Sequence, residues 1–206
     1  MSDRETVREG YNTIAARYLA ARSEDSEDIQ LLQELVQRLP GGAEILDAGC
    51  GAGVPVARYL SRFFNVTGVD FSEEQIRLAR KLVPEAEFLC QDLTLLTLED
   101  NSFDAVCSYY AIIHIPRQEH KALLQSFHRI LKPSGFALLC MGADDLERDI
   151  EENFLGAHMY WSHYDAGTNL KMIRECGFNI IWSKNVADKT SPGSTHLFVL
   201  AEKSCI

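Results

Sequence analysis

The chain has 206 residues, of which 46% are hydrophobic and 24% are charged. This composition is typical of a globular protein and excludes a collagen-like or wholly disordered chain, and the length fits one domain. The formal net charge of −10 repels phosphate backbones and anionic membranes, so we expect neither nucleic acid nor a membrane as a partner.

The cellular location of the protein is predicted from the lengths of its apolar segments. No apolar run approaches the roughly 20 residues that span a bilayer, and the start MSDRETVREG has no signal-peptide core, so we expect a cytoplasmic protein. The cysteines show no C-x-x-C pair or zinc-type spacing, which indicates reduced structural thiols and no metal site. They are Cys50, Cys90, Cys107, Cys140, Cys176 and Cys205.

Two helices are predicted before the first strand, and residues 1–40 are expected to form a helical cap. The first spans residues 5–22. Its side chains at helical spacing are Val7, Tyr11, Ile14, Tyr18 and Leu19. After the acidic SEDSED segment, Ser26 is placed to cap a second helix that runs to Leu39 and ends at a Pro-Gly-Gly turn.

From residue 43 the sequence alternates between strand and helix patterns, as in α/β proteins. Strands are predicted at 43–49, 65–70, 86–90, 103–110, 136–142, 178–185 and 195–203. The intervening helices are predicted after the glycine-rich segment at 49–53 and at 72–82, 117–131 and 167–176. A Lys-Pro-Ser-Gly turn at 132–135 precedes the fifth strand, and a polar loop containing Ser191, Pro192 and Gly193 joins the last two.

Three glycines at positions 49, 51 and 53 occupy the turn that leads from the first strand into a helix. Without Cβ atoms the backbone there can approach a ligand closely, so a nucleoside-sized ligand fits at the end of the strand. An ordinary tight turn has the same glycine pattern, so the neighbouring acidic residues must distinguish a ligand-binding turn from a purely structural one.

Asp47 and Val54 favour S-adenosylmethionine over a dinucleotide. A dinucleotide fingerprint requires glycine at position 54, where this chain has valine. Asp47 disfavours a pyrophosphate and suits the ammonium group of a methionine moiety. Asp70 ends the second strand and can bind both ribose hydroxyls, as it would in an NAD enzyme too. Asp92 follows the third strand and can accept from an adenine amino group, or simply cap a turn.

Five segments in order resemble the successive motifs of the class I S-adenosylmethionine-dependent methyltransferases. They are EILDAGCGAG, VTGVD with FSEEQIRLAR, CQDLTLL, FDAVCSYYAIIHI and LKPSGFALL. The resemblance covers residues 43–141 closely and the rest loosely. It implies a Rossmann-like fold in which a seven-stranded, mostly parallel sheet ends in an antiparallel hairpin and carries helices on both faces.

The resemblance also implies roles for individual residues. Asp47, Gly49, Cys50 and Gly51 would line the methionine end, and Asp70 would hold the ribose. The residues expected around adenine are Gln91, Asp92, Leu93 and, by stacking or as part of the core, Phe71. One of Tyr109 and Tyr110 would face the methionine moiety. Tyr11 and Tyr18 share a helix face, and they either cover the cofactor or form an aromatic core stripe.

His114 is the candidate general base, because it follows the fourth strand on the side where ligands bind. A histidine at this bend can equally be structural and bond a backbone group. His120 and His128 lie on the next helix and are expected to pack or face solvent.

The segment 144–164 is predicted to be an insertion that forms the acceptor pocket or its lid. Its candidate pocket residues are Tyr160, Trp161, His163 and Tyr164, since aromatic walls with polar tips suit a small acceptor. The alternative is a helix that packs these aromatics onto the N-terminal helices.

The sequence therefore predicts a methyltransferase that uses S-adenosylmethionine, releases S-adenosylhomocysteine and methylates a small molecule. Two alternatives stay open. One is a non-catalytic regulatory protein that binds S-adenosylmethionine. The other is an NAD-dependent oxidoreductase, which Asp47, Val54 and the lack of a Tyr-x-x-x-Lys pair disfavour.

Overall fold

A computed structural model describes residues 2–188 and 193–204, in which helices and strands alternate along the chain. The helices are α1 (Asp3–Ala21), α2 (Glu27–Gln30), α3 (Gln33–Arg38), α4 (Val56–Leu60), α5 (Glu73–Leu82), α6 (His120–Ile130) and α7 (Ala166–Glu175). The strands are β1 (Glu44–Ala48), β2 (Asn65–Asp70), β3 (Glu87–Cys90), β4 (Phe103–Ser108), β5 (Leu131–Gly142), β6 (Leu146–Phe154), β7 (Ala157–His163), β8 (Phe178–Ala187) and β9 (Thr195–Lys203). Ser191, Pro192 and Cys205, which figured in the predictions, lie outside the described residues.

The main sheet has seven strands in the order β3-β2-β1-β4-β5-β9-β8. Strands β1 to β5 are parallel, and β9 runs antiparallel to both β5 and β8. The predicted Rossmann-like fold with a C-terminal antiparallel hairpin is therefore confirmed. Parallel strands of this kind need both faces covered. Buried side chains of α2 to α5 pack on one face, and those of α6 and α7 pack on the other.

The second predicted helix is divided into α2 and α3 by a turn at residues 31–32. Ser26 stands at the N-terminus of α2, but the prediction that its side chain caps the helix is wrong. Its hydroxyl donates to the Ser23 carbonyl at 3.2 Å instead. The predicted turn at 132–135 lies inside β5 as an irregularity, since the pairing with β4 jumps from Leu131 to Phe136.

The segment 144–164 contains a separate two-stranded antiparallel sheet formed by β6 and β7. The predictions of an irregular stretch or, alternatively, a helix in this segment are therefore wrong. Leu155 and Gly156 form its turn, both with positive φ. The hairpin packs on α1, and its buried side chains Phe154, Met159 and Tyr160 form a cluster with Val7 and Ile14 of that helix. The hairpin thus holds α1 against the body of the protein.

The described part of the chain contains five free cysteines, four of them buried and Cys90 exposed. No group of three or more His, Cys, Asp or Glu side chains within residues 2–188 and 193–204 is arranged to hold a metal ion. Among these same residues, no helix is both long enough and apolar enough to cross a membrane.

Gly10 sets the distance between α1 and β7. A Cβ atom at this position would lie 2.7 Å from the His158 carbonyl oxygen and 3.0 Å from Met159 Cε. We expect Gly10→Ala to push α1 outward and to lower the free energy of unfolding by about 1–3 kcal/mol. Chemical denaturation would measure this loss.

Gly41→Ala is the matched control, since its Cβ would meet nothing closer than the Phe63 carbonyl oxygen at 3.9 Å. If Gly10→Ala proved as stable as Gly41→Ala, α1 would not be tightly seated on the hairpin.

Candidate active site

The predicted site residues meet at one edge of the main sheet. Gly49 follows β1, Asp70 ends β2, Asp92 follows β3, and Tyr109 and Tyr110 follow β4. Because these strands are parallel, their carboxyl ends share one edge, where ligands bind in open α/β sheets.

A cavity of about 640 Å³ opens at this edge and is called the main cavity here. Helix α1 closes it from above with Arg4, Val7, Tyr11 and Tyr18. The rest of its lining is Gly49, Gly51, Asp70, Phe71, Asp92, Leu93, Tyr109, Tyr110, Ala111, His114 and Ile115.

A second cavity of about 400 Å³ adjoins the main cavity. The two share the lining residues Tyr18, Gly49, Gly51, Tyr109 and Tyr110. Arg22, Asp47 and Cys50 line only the second cavity. An elongated ligand can therefore occupy both.

Asp47 is the most unusual group of the site. It is 1% exposed, and neither carboxylate oxygen has a hydrogen-bond partner among the described residues. Burial, together with the nearby Asp70 carboxylate, raises the pKa of this carboxyl to about 8, although the backbone N–H of Ala57 opposes the shift. An ionised carboxylate that is buried without a partner destabilises the protein, so a cationic ligand group beside Asp47 would stabilise its charged form.

Asp70 is held by the backbone. Its carboxylate accepts from the Gly51 N–H at 3.0 Å and from the Ser72 N–H at 2.9 Å. Burial raises its pKa to about 6, although these backbone hydrogen bonds oppose the shift. At neutral pH Asp70 is therefore mostly ionised and fixed, with lone pairs left to accept from ligand hydroxyls.

Gly49 makes the turn after β1 possible. It has φ of +82°, and a Cβ atom there would lie 2.1 Å from Ala111 Cβ. Both its backbone conformation and the space around it therefore require glycine, and the turn can lie directly against a ligand.

Asp92 caps a turn, which is one of the two roles considered for it, and it also reaches the main cavity. Its Oδ1 accepts from the Thr94 N–H at 2.8 Å and so caps a short 3₁₀ turn at Leu93–Leu95. Its Oδ2 pairs with Arg4 of α1 at 3.2 Å, and the residue also lines the main cavity. Gln91 lies in an adjoining surface groove and not in the main cavity, and its amide donates to the Leu95 carbonyl.

Tyr109 and Tyr110 both line the two cavities, so the structure does not single out one of them. Their hydroxyls turn toward buried Asp28: Tyr109 donates to its carbonyl at 3.0 Å, and Tyr110 donates to its carboxylate at 3.2 Å. Phe71 lines the main cavity as well. The rings face the cavities, while the polar atoms are used within the protein.

His114 bridges α1 and the hairpin. Its Nδ1–H donates to the Tyr160 carbonyl at 2.8 Å, because a carbonyl oxygen can only accept. Nε2 is then left to accept from the Tyr11 hydroxyl, also at 2.8 Å. Burial lowers the pKa of His114 to about 4, so the ring is neutral at pH 7. His114 is both a backbone-bonding residue and part of the cavity wall.

Tyr160, Trp161, His163 and Tyr164 do not line the main cavity in this structure. Tyr160 is buried between the hairpin and α1, and Trp161 packs on the His114 ring at a centroid distance of 4.3 Å. His163 bonds the Asp144 carbonyl, and Tyr164 lies under Arg117. Tyr160 and Trp161 therefore pack behind the lining residues Val7 and His114, while His163 and Tyr164 contact residues outside the cavity lining.

Several lining residues were absent from the predicted site: Arg4, Val7, Ala111, Ile115 and, in the second cavity, Arg22. A signal for the first two exists in the sequence, since Arg4, Val7, Tyr11 and Tyr18 follow helical spacing on one face. Arg22 follows the last turn of α1 and gives no comparable signal.

Known proteins resemble this chain in sequence and in fold. Residues 45–135 match the family model described as a methyltransferase domain. The 2-methyl-6-phytyl-1,4-hydroquinone methyltransferase of Synechocystis sp. is 34% identical over 56% of this chain and 37% of its own length. The cycloartenol-C-24-methyltransferase of Arabidopsis thaliana is 32% identical over 73% of this chain and 48% of its own length. The chain thus spans less than half the length of these two curated relatives.

Among solved structures, the magnesium protoporphyrin IX methyltransferase of Synechocystis with bound S-adenosylmethionine aligns with a TM-score of 0.73 and 17% identity. This alignment covers 99% of this chain and 98% of the other, and shows that the fold is shared over nearly the full length. The matching family and relatives favour a methyltransferase over an NAD-dependent oxidoreductase. Residues 45–135 therefore form a methyltransferase domain, and the chain has the fold of an S-adenosylmethionine-binding methyltransferase.

Proposed function

We propose that this protein transfers the methyl group of S-adenosylmethionine to a small-molecule acceptor and releases S-adenosylhomocysteine. The observation that carries the proposal is the buried carboxylate of Asp47, which has no partner among the described residues and lies beside the glycine turn. A ligand with an ammonium group beside an adenosyl group fits this arrangement, and a dinucleotide pyrophosphate would place anions against Asp47.

The two cavities together accommodate the parts of this cofactor. Its methionine end would lie in the second cavity with Asp47, Gly49, Cys50 and Gly51. Asp70 would accept from the ribose hydroxyls. Adenine would lie in the main cavity among Phe71, Asp92, Leu93 and Arg4, with Gln91 at its margin. The positive φ of Gly49 and Gly51 supports this placement, because it lets the backbone turn lie along both cavities.

The acceptor is proposed to be small and largely apolar. Apolar side chains such as Val7, Ala111 and Ile115 form much of the remaining wall of the main cavity. The two curated relatives are named for a hydroquinone and a sterol, and the solved structure is named for a porphyrin. The net charge of −10 disfavours a nucleic acid.

When bound, S-adenosylmethionine supplies a methyl carbon activated by positively charged sulfur. Side chains of helix α1 cover one side of the main cavity, and such a cover limits the access of water to the reacting atoms. The Tyr11 oxygen can accept the proton that a hydroxyl or protonated amine loses, while Tyr11 passes its own proton to His114 Nε2. The hydrogen bond from Nδ1 to the Tyr160 carbonyl keeps Nε2 unprotonated for this step.

Tyr11→Phe and His114→Asn should each lower kcat by about a hundredfold, the usual contribution of general acid–base catalysis. The affinity for S-adenosylmethionine should change little, because these groups would act on the acceptor's proton. Steady-state kinetics and calorimetric titration would separate the two effects. Tyr59→Phe is the control, since that hydroxyl bonds Gln33 on the surface. Full kcat in both variants would exclude the proton relay.

The proposed function is tested by titrating the purified protein with S-adenosylmethionine and, separately, with NADH. Specific binding of S-adenosylmethionine alone should be followed by transfer of a labelled methyl group to members of a panel of apolar hydroxyl and amine compounds. A protein that failed to bind S-adenosylmethionine would overturn the proposal. Binding without transfer to any tested acceptor would favour a regulatory protein.

A further inference from the structure

A buried histidine–carboxylate pair lies at the edge of the main sheet that carries the two cavities. His196 is the second residue of β9, and its register partner Gly142 ends β5. Asp188 directly follows β8, and its N–H donates to the Ser194 carbonyl at 3.0 Å. Because β5 is parallel to β4 and β1, the end of β5 lies at the same edge as the site. The methyl transfer described above uses neither His196 nor Asp188.

Asp188 fixes the orientation of the His196 ring. Its Oδ2 lies 3.1 Å from His196 Nε2, and the side chains of His196 and Asp188 are only 10% and 8% exposed. Because an ionised carboxylate can only accept, Nε2 carries the proton of this hydrogen bond. Nδ1 is buried without a hydrogen-bond partner among the described residues. A phenylalanine ring would pack here without an unsatisfied nitrogen, but no hydrogen bond would then hold its plane.

The ring held by Asp188 faces Tyr110. The centroids of the His196 and Tyr110 rings are 5.0 Å apart at an interplanar angle of 87°, an arrangement that aromatic rings favour. Tyr110 has φ of +56°, which a bulky residue keeps only where its surroundings enforce it. Its hydroxyl donates to Asp28 Oδ2 at 3.2 Å, and the guanidinium carbon of Arg22 lies 4.4 Å from its ring centroid. His196 adds a third contact that fixes the Tyr110 ring.

Tyr110 lies where the two cavities meet. It lines both of them, whereas neither His196 nor Asp188 lines either one. In the proposed complex the methionine end occupies the second cavity and adenine occupies the main cavity, so the sulfonium and its methyl group lie at this junction. A displaced Tyr110 ring would change the approach of the acceptor to that methyl group, and in-line transfer tolerates little misalignment.

We propose that His196 and Asp188 form a positioning pair, which fixes the Tyr110 ring beside the reacting methyl group and so aligns the acceptor for transfer. This inference rests on the proposed function, because it takes S-adenosylmethionine as the ligand. The pair acts through Tyr110 and not on the reacting atoms, since both of its side chains lie outside the lining of the cavities.

The methyl group itself reports the position of the Tyr110 ring. S-adenosylmethionine with an isotopically labelled methyl carbon is the probe, and NMR records the chemical shift of its bound methyl group, which the ring current of a neighbouring aromatic side chain changes. The double variant His196→Leu/Asp188→Leu replaces the pair by apolar side chains, a change that often leaves stability nearly intact. We expect a changed methyl shift and a kcat about ten- to a hundredfold lower, with little change in the affinity for S-adenosylmethionine.

Two further variants separate positioning from packing. Asp188→Asn keeps an oxygen that can accept from His196 Nε2, so it should retain more of kcat than the double variant and lie closer to the wild-type methyl shift. His128→Leu is the matched control, because it removes an equivalent perpendicular contact outside both cavities. The His128 ring lies 5.3 Å from that of Phe178 at 87°. This variant should keep the wild-type methyl shift and kcat.

The outcomes separate the inference from the function on which it rests. If the wild-type protein gave no signal from a bound methyl group, the cofactor itself would be wrong. If the double variant kept the wild-type methyl shift and kcat, the pair would serve only to stabilise the ends of β8 and β9. Asp188→Val removes the hydrogen bond to His196 but keeps the ring, and the same two measurements on it decide the matter if the double variant fails to fold.

Discussion

Asp70→Ala should weaken the binding of S-adenosylmethionine by a hundredfold or more. In the proposed complex both ribose hydroxyls donate to this carboxylate, and each hydrogen bond to a charged group contributes about 1.5–3 kcal/mol. The substitution also releases the N–H groups of Gly51 and Ser72, which Asp70 now holds at 3.0 and 2.9 Å. The turn that lies against the ligand would then lose its fixed shape. Isothermal titration measures the loss directly.

Asp100→Ala is a suitable control, because Asp100 pairs with Arg129 on the surface and lies outside both cavities. Its affinity should match that of the wild-type protein. Asp70→Asn distinguishes charge from shape, since the amide oxygen can still accept from Gly51 or Ser72. If Asp70→Ala bound S-adenosylmethionine within a few-fold of wild type, the ribose would lie elsewhere.

The sheet and the location of the site could be predicted because local patterns determine them. The alternation of apolar strands with amphipathic helices indicates a parallel sheet, and each of Gly49, Asp70 and Asp92 ends a strand or lies within two residues of its end. Residues at successive strand ends must then meet at one edge of the sheet. No long-range contact had to be guessed to place them.

The β6–β7 hairpin could not be predicted because its sequence lacks the signals of a strand pair. Nearly every residue of β6 is exposed or half-buried and many are charged, so no alternation of period two is visible. Its turn is Leu-Gly, without the Asn-Gly or Asp-Gly signature of a two-residue loop. Packing of Met159 and Tyr160 against α1 stabilises the hairpin instead.

The hydrogen-bond and ion-pair partners of the site residues could not be predicted from the sequence either. Asp92 pairs with Arg4, 88 residues away, and the proton on His114 is positioned by the backbone of Tyr160, 46 residues away. Spacing along the chain carries no information on such pairs. The sequence indicates which groups reach the sheet edge, and only the packing of α1 and β7 determines what those groups contact.

Asp47→Asn should make the protein more stable and its cofactor binding weaker. The carboxyl has a pKa of about 8 in the folded protein, above its ordinary value of 3.8, chiefly because it is buried. The folded state therefore holds this proton where the unfolded chain releases it, and Asp47 costs stability progressively as the pH rises from about 4 to about 8. The amide carries no such cost, so the variant should gain about 1–3 kcal/mol at pH 8.

The same group should make cofactor affinity depend on pH. An ammonium group beside Asp47 favours the ionised carboxylate, so binding must expel a proton wherever the free protein still holds one. The affinity of the wild-type protein should rise between pH 6 and 8, by at most tenfold per pH unit, while Asp47→Asn should show a flat profile in this interval. Asp70 contributes only below its pKa of about 6. Calorimetric titrations across this range, paired with denaturation curves, check both effects, and a wild-type affinity independent of pH would place the methionine ammonium away from Asp47.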